Sequence, residues 1–97
     1  MILTTTNTIE GHKIQDYLGI VTGVSIGVKT SFSFKSEKNK KLYRDFVNQA
    51  KEEAFQNLKE NANKLNANAV LGIKIDIETS STSYFFVSIT GTAVKVM

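Results

Sequence analysis

The sequence predicts an α+β fold: a two-layer β-β-α-β-β subunit with one mainly antiparallel sheet on one long helix. Three observations predict it. The apolar period is two over the first part of the chain, switches to three and four in the middle, and returns to two at the end. No Pro-rich linker or internal repeat divides the chain. Its 97 residues suit a single domain, spanning 1–97.

Met1 to Thr6, apolar and β-branched, read as a short first strand. Asn7 to Lys13 contain Asn7, Glu10 and Gly11, which suit a turn. Asp16 to Lys29 form the second strand. Its even positions, Leu18, Ile20, Thr22, Val24, Ile26 and Val28, make one apolar face, and Gly19, Gly23 and Gly27 fall on the other. From about Asn39 to Leu65 the stripe of an amphipathic helix appears: Leu42, Tyr43, Phe46, Val47, Ala50, Ala54, Phe55, Leu58, Ala62 and Leu65. Ser36 or Asn39 can cap its start, and Asn66 can end it in the left-handed conformation that Asn tolerates. Ala69 to Thr79 is a strand with Ile73, Ile75 and Ile77 opposite Lys74, Asp76 and Glu78. Thr79 to Ser83 is a polar loop tip. Tyr84 to Val96 is the last strand, with Phe85 and Phe86 on opposite faces.

Composition excludes several chemistries. The chain has no Cys, no Pro and one His, so thiolate zinc sites, iron–sulfur clusters, disulfides and cysteine nucleophiles are ruled out. No nucleophile–base or carboxylate constellation emerges, so the expectation is a protein that is not an enzyme and uses no cofactor. His12 reads as an exposed turn residue. Asp76 and Glu78 share a face with Lys74 and read as a solvated strand surface. No run approaches the roughly 20 apolar residues of a membrane span, and the N-terminus lacks a signal-peptide pattern. Cytoplasm is the default location.

The net charge of +3 is concentrated. Lys35, Lys38, Lys40, Lys41 and Arg44 fall within ten residues against Glu37 alone. Lysines in a first helical turn oppose the macrodipole. On one reading the helix starts later, near Leu42, after a solvated loop. On the other the patch binds an anion: phosphate, nucleic acid or a lipid headgroup. No nucleic-acid motif accompanies it, so nucleic acid is not the expected partner.

Two arguments point to a homo-oligomer. About 27 helical residues span roughly 40 Å, while a compact chain of this length has a diameter of about 32 Å. One helix end should then overhang, fray or pack on a neighbour. The sheet is also apolar on both faces, and one helix covers one face only. Gly19, Gly23, Gly27, Phe85 and Phe86 are therefore candidate subunit-interface residues. The glycines can alternatively permit twist and bulges, or the close approach of the helix. In a ring-shaped assembly, Ser88, Thr90 and Thr92 could line an inter-subunit surface.

Three stretches resemble the YbjQ-like family, which carries a heavy-metal-binding label and no established activity. They are Met1 to Gly11 with Tyr17 to Gly23, then Asn66 to Ile73, then Val87 to Val94. The resemblance covers most of the chain in the family's order. It implies a dodecin-like subunit assembled as a ring-like pentamer, and metal binding at an inter-subunit site. Two departures stand out: the segment Lys29 to Lys41 is shorter and richer in lysine, and Asn66 stands where the family usually has Gly.

Overall fold

Alternating side chains build a four-stranded sheet in the computed structural model, which describes residues 1–28, 37–79 and 84–97. The elements are β1 (Ile2–Leu3), β2 (Ile14–Val28), α1 (Glu37–Lys64), β3 (Ala69–Thr79) and β4 (Tyr84–Val96). The sheet order is β1-β3-β4-β2. β1 runs parallel to β3, and the β2–β4 and β3–β4 pairs are antiparallel. The sheet is thus mixed, with two long antiparallel pairs and one short parallel one. The expected loop tip lies largely outside the described residues, as does Lys35.

The helix begins at Glu37 rather than near Leu42. Lys38, Lys40, Lys41 and Arg44 therefore lie in its first turns despite the macrodipole. That penalty is only about 0.3–1 kcal/mol per exposed charge, which tertiary packing of α1 outweighs.

α1 lays a small-residue stripe on the sheet. Ala50, Ala54, Leu58 and Ala62 are buried against Val21, Phe85, Val87, Ile89 and Ala93. Alanine lets the helix axis come close, and Leu58 contributes about 1.5–3 kcal/mol of apolar burial. A second, smaller cluster lies on the opposite face of the sheet. There Ala69, Leu71, Val94 and Val96 are covered by Ile2, Ile9 and Ile14.

The helix ends on Asn66, whose φ is +62°. The Ala67 N–H donates to Ala62 O (3.1 Å) and the Asn66 N–H to Asn63 O (2.9 Å), the paired bonds of a Schellman motif. Asn68 then leads into β3. Its side-chain amide donates to Val96 O and its Oδ1 accepts from the Val96 N–H, both at 2.8 Å.

The molecule is long: 50 × 22 × 16 Å, with a Cα radius of gyration of 16.0 Å. A compact chain of this length would have about 12.5 Å. A helix of 28 residues spans about 42 Å, and its contacts Asn61–Thr22, Asn57–Val24 and Glu53–Ser25 lay its C-terminal half along β2.

Candidate functional site

Among the described residues, the side of the sheet away from α1 is covered at one end, by Ile2, Ile9 and Ile14. The strand registers define the open part as a series of rungs. Ile20 pairs with Thr92. Thr22, Thr90 and Lys74 form the next rung, then Val24, Ser88 and Asp76, then Ile26, Phe86 and Glu78. The edge column is apolar and exposed: Ile20 is 78 % accessible, Val24 49 % and Ile26 59 %. The middle column is a half-buried hydroxyl ladder ending in Phe86, and the third is charged.

A β-bulge sets this arrangement. The register slips between Tyr17 and Gly19, where φ is +134°. A one-residue slip exchanges the faces of a strand. Leu18 therefore joins Val21 in the helix-side core, while Ile20 points away from it. The single even-numbered face expected over the whole of β2 is corrected on this point.

The three stripe glycines do different things within the chain. Gly19 supplies the positive φ. At Gly23 a Cβ would collide with the Ala54 carbonyl oxygen and stand 2.6 Å from the Leu58 nitrogen, so α1 crosses β2 backbone to backbone. At Gly27 a Cβ would collide with the Phe85 ring. Phe85 is fully buried under α1, whereas Phe86 is half-buried on the open face.

Helix side chains also seal the free edge of β2. The Asn57 amide donates to Val24 O (2.9 Å) and the Asn61 amide to Thr22 O (2.7 Å). The Ser25 hydroxyl donates to Glu53 Oε2 at 2.9 Å. Glu53, Asn57 and Asn61 are spaced i, i+4, i+8, so one helix face runs along the strand edge. Sequence reasoning missed this seam. Its signal was the Asn pair at helical spacing beside the apolar stripe.

β3 carries a second open apolar patch on the other face. Ile75 pairs with Ile89 and Ile77 with Val87, whose side chains are buried under α1. α1 lies mainly over β2 and β4. Ile75 and Ile77 thus remain 43 % and 49 % accessible on the helix side.

A bulge in β3 opens a depression on the outer face. The register steps from Leu71–Thr92 to Lys74–Thr90, so Gly72 and Ile73 together oppose Gly91. Gly72 has φ +61°, and the added residue leaves no side chain there. Its N–H donates to Thr6 O (2.9 Å) and that of Ile73 to Thr4 O (3.1 Å). Two adjoining depressions of about 200 and 170 Å³ share Gly72 and Thr92. Gly72 within a strand pattern was the legible but unused signal.

Of the basic run, Lys41 and Arg44 are exposed on α1. His12 holds the end of β4: its Nδ1 is 2.8 Å from Met97 O, and Met97 N–H donates to Lys13 O at 3.0 Å. Among the described residues, no three His, Asp or Glu side chains gather as a metal site. With no Cys and one ring nitrogen of the single His engaged, the residues of one chain do not fit a soft heavy metal. No helix of the described residues is long and apolar enough to cross a membrane.

Comparison with known proteins agrees with this architecture. A UPF0145 protein of Geobacillus kaustophilus is 37 % identical, covering 99 % of this chain and 98 % of its own. One from Geobacillus thermodenitrificans is 38 % identical over 99 % of each. A crystal structure from Pediococcus pentosaceus, of a protein of unknown function in the DUF74 family, matches with a TM-score of 0.73. It is 24 % identical, covers 100 % of this chain and 98 % of its own, and so attests the fold. The YbjQ family profile, described as "Putative heavy-metal-binding", matches residues 1–97. Full-length match and whole-chain relatives together make this chain a member of the YbjQ (UPF0145) family.

Proposed function

We propose that the chain is a non-enzymatic subunit of a closed homo-oligomeric ring, an assembly and binding module. The observation that carries this is the pair of exposed apolar patches. Val24 and Ile26 lie on the outer face at the β2 edge. Ile75 and Ile77 lie on the helix-side face near the opposite edge. Two different patches facing opposite ways favour a heterologous, head-to-tail contact, which forms a ring when the rotation between subunits closes. The dodecin-like pentamer implied by the family resemblance is the form we propose. Native mass spectrometry should then give five times the 10.7 kDa chain. Ile26→Asp and Ile77→Asp should each yield monomers. Mixed together they should form dimers, because each supplies the patch the other lacks. A wild-type monomer at micromolar concentration overturns the reading.

The basic start of α1 supports a second reading, anion binding through Lys35, Lys38, Lys40, Lys41 and Arg44. Cations kept at a positive helix end are mildly destabilising, and a ring would concentrate them. Lys40→Glu with Lys41→Glu should abolish salt-sensitive polyanion binding. Unchanged affinity ends this reading. Metal binding between subunits, which the family description suggests, predicts a higher Tm with a divalent metal. A flat response across a metal panel counts against it.

A further inference from the structure

We infer that the outer-face depression at the Gly72 bulge is a binding site for a small organic oxyanion, a carboxylate or phosphate ester with a short apolar body. The proposal does not rest on ring assembly, because every residue that forms the depression belongs to one chain.

The bulge makes the space. It inserts a residue without a side chain between the rungs of Leu71 and Lys74, so the outer row of side chains is interrupted there. A Cβ placed on Gly72 would approach only Asn7 Oδ1, at 3.5 Å. The gap is therefore open rather than filled from below. Backbone bonds from Gly72 and Ile73 to Thr6 and Thr4 hold its wall rigid.

The lining is suited to an anion. Lys74, Thr90 and Thr92 bring an ammonium group and two hydroxyls to one side. No carboxylate lines either depression. Among the described residues the Lys74 ammonium meets no hydrogen-bond or ion-pair partner. Asp76 lies one rung further along the same face, beside Ser88, a spacing of about 7 Å along the strand. Lys74 is thus free to satisfy a bound oxyanion with a charge-assisted bond, with the hydroxyls as further donors. Ile20, Leu71 and the Tyr17 ring offer an apolar rest for the remainder of the ligand. The combined volume of the two depressions is at the low end for small-molecule pockets, which suits a small ligand.

The test is an amide NMR titration of the full chain with benzoate and with phenyl phosphate, inorganic phosphate serving as the bare-anion arm. Either aromatic probe at millimolar concentration should move the Gly72, Gly91 and Thr92 amides. A response to benzoate alone assigns a carboxylate ligand, and a response to phenyl phosphate alone assigns a phosphate ester. Lys74→Met should weaken binding about tenfold. Gly72→Asn tolerates the left-handed backbone and fills the gap, so it should weaken binding equally without unfolding the chain. Lys59→Met, on α1, should change nothing. Absent shifts, shifts confined to the start of α1, or affinities that both site variants leave intact overturn the proposal. Repeating the titration on Ile26→Asp separates it from assembly: loss of the ring with retained shifts refutes neither reading, and a wild-type monomer that still binds refutes assembly alone.

Discussion

At the scale of single residues, backbone geometry decides more than side-chain chemistry. Gly23 is the point where helix and strand backbones touch. Gly23→Ala should lower unfolding free energy by about 1–3 kcal/mol, the cost of overpacking, in a urea titration followed by circular dichroism. Asn66 is a different case, with space but a left-handed φ. Asn66→Ala should cost about 1–2 kcal/mol. Asn66→Gly should preserve stability, since glycine accepts the same conformation. The use of Asn66 as a helix stop was readable from the sequence, because Asn is one of few residues that tolerate it. Which stripe glycine meets a helix, which meets a ring and which sits at a bulge was not readable. Spacing alone gives all three the same environment.

At the scale of elements, α1 both covers β2 and protects it. A long edge strand presents unpaired backbone groups that invite pairing with another chain. Asn57 and Asn61 occupy two of those carbonyls. Replacing both with Ala removes two hydrogen bonds of about 0.5–1.5 kcal/mol each. The double variant should unfold at lower urea and scatter more light on concentration, as freed edges pair. Stability that falls without added scattering would limit the amides to a clamp. The bulges are the other device at this scale. One at Gly19 moves Leu18 inward and Ile20 outward, and one at Gly72 opens the depression. Period-two counting found both strands but treated each as continuous, and a bulge breaks that count.

At the scale of the whole molecule, the shape itself argues for partners. A radius of gyration of 16.0 Å leaves much surface per residue, and part of that surface is a column of isoleucine and valine. If neighbours cover it, folding is linked to association. Tm should rise with protein concentration for the wild type and stay constant for Ile26→Asp, measured by scanning calorimetry. A concentration-independent wild-type Tm over a hundredfold range would contradict this.

The sequence by itself determined the element order, the helix stop and the two-faced apolar character of the sheet. These follow from periodicity and local backbone preference, which are properties of neighbouring residues. It also excluded cysteine-based chemistry outright. Only the tertiary structure decided which faces remain open. The helix lies mainly over β2 and β4 and leaves Ile75 and Ile77 of β3 exposed, the N-terminal segment covers one end of the outer face, and the Gly72 bulge opposes Gly91. Each of these outcomes depends on contacts between residues far apart in the chain, where packing selects among surfaces that look alike in one dimension.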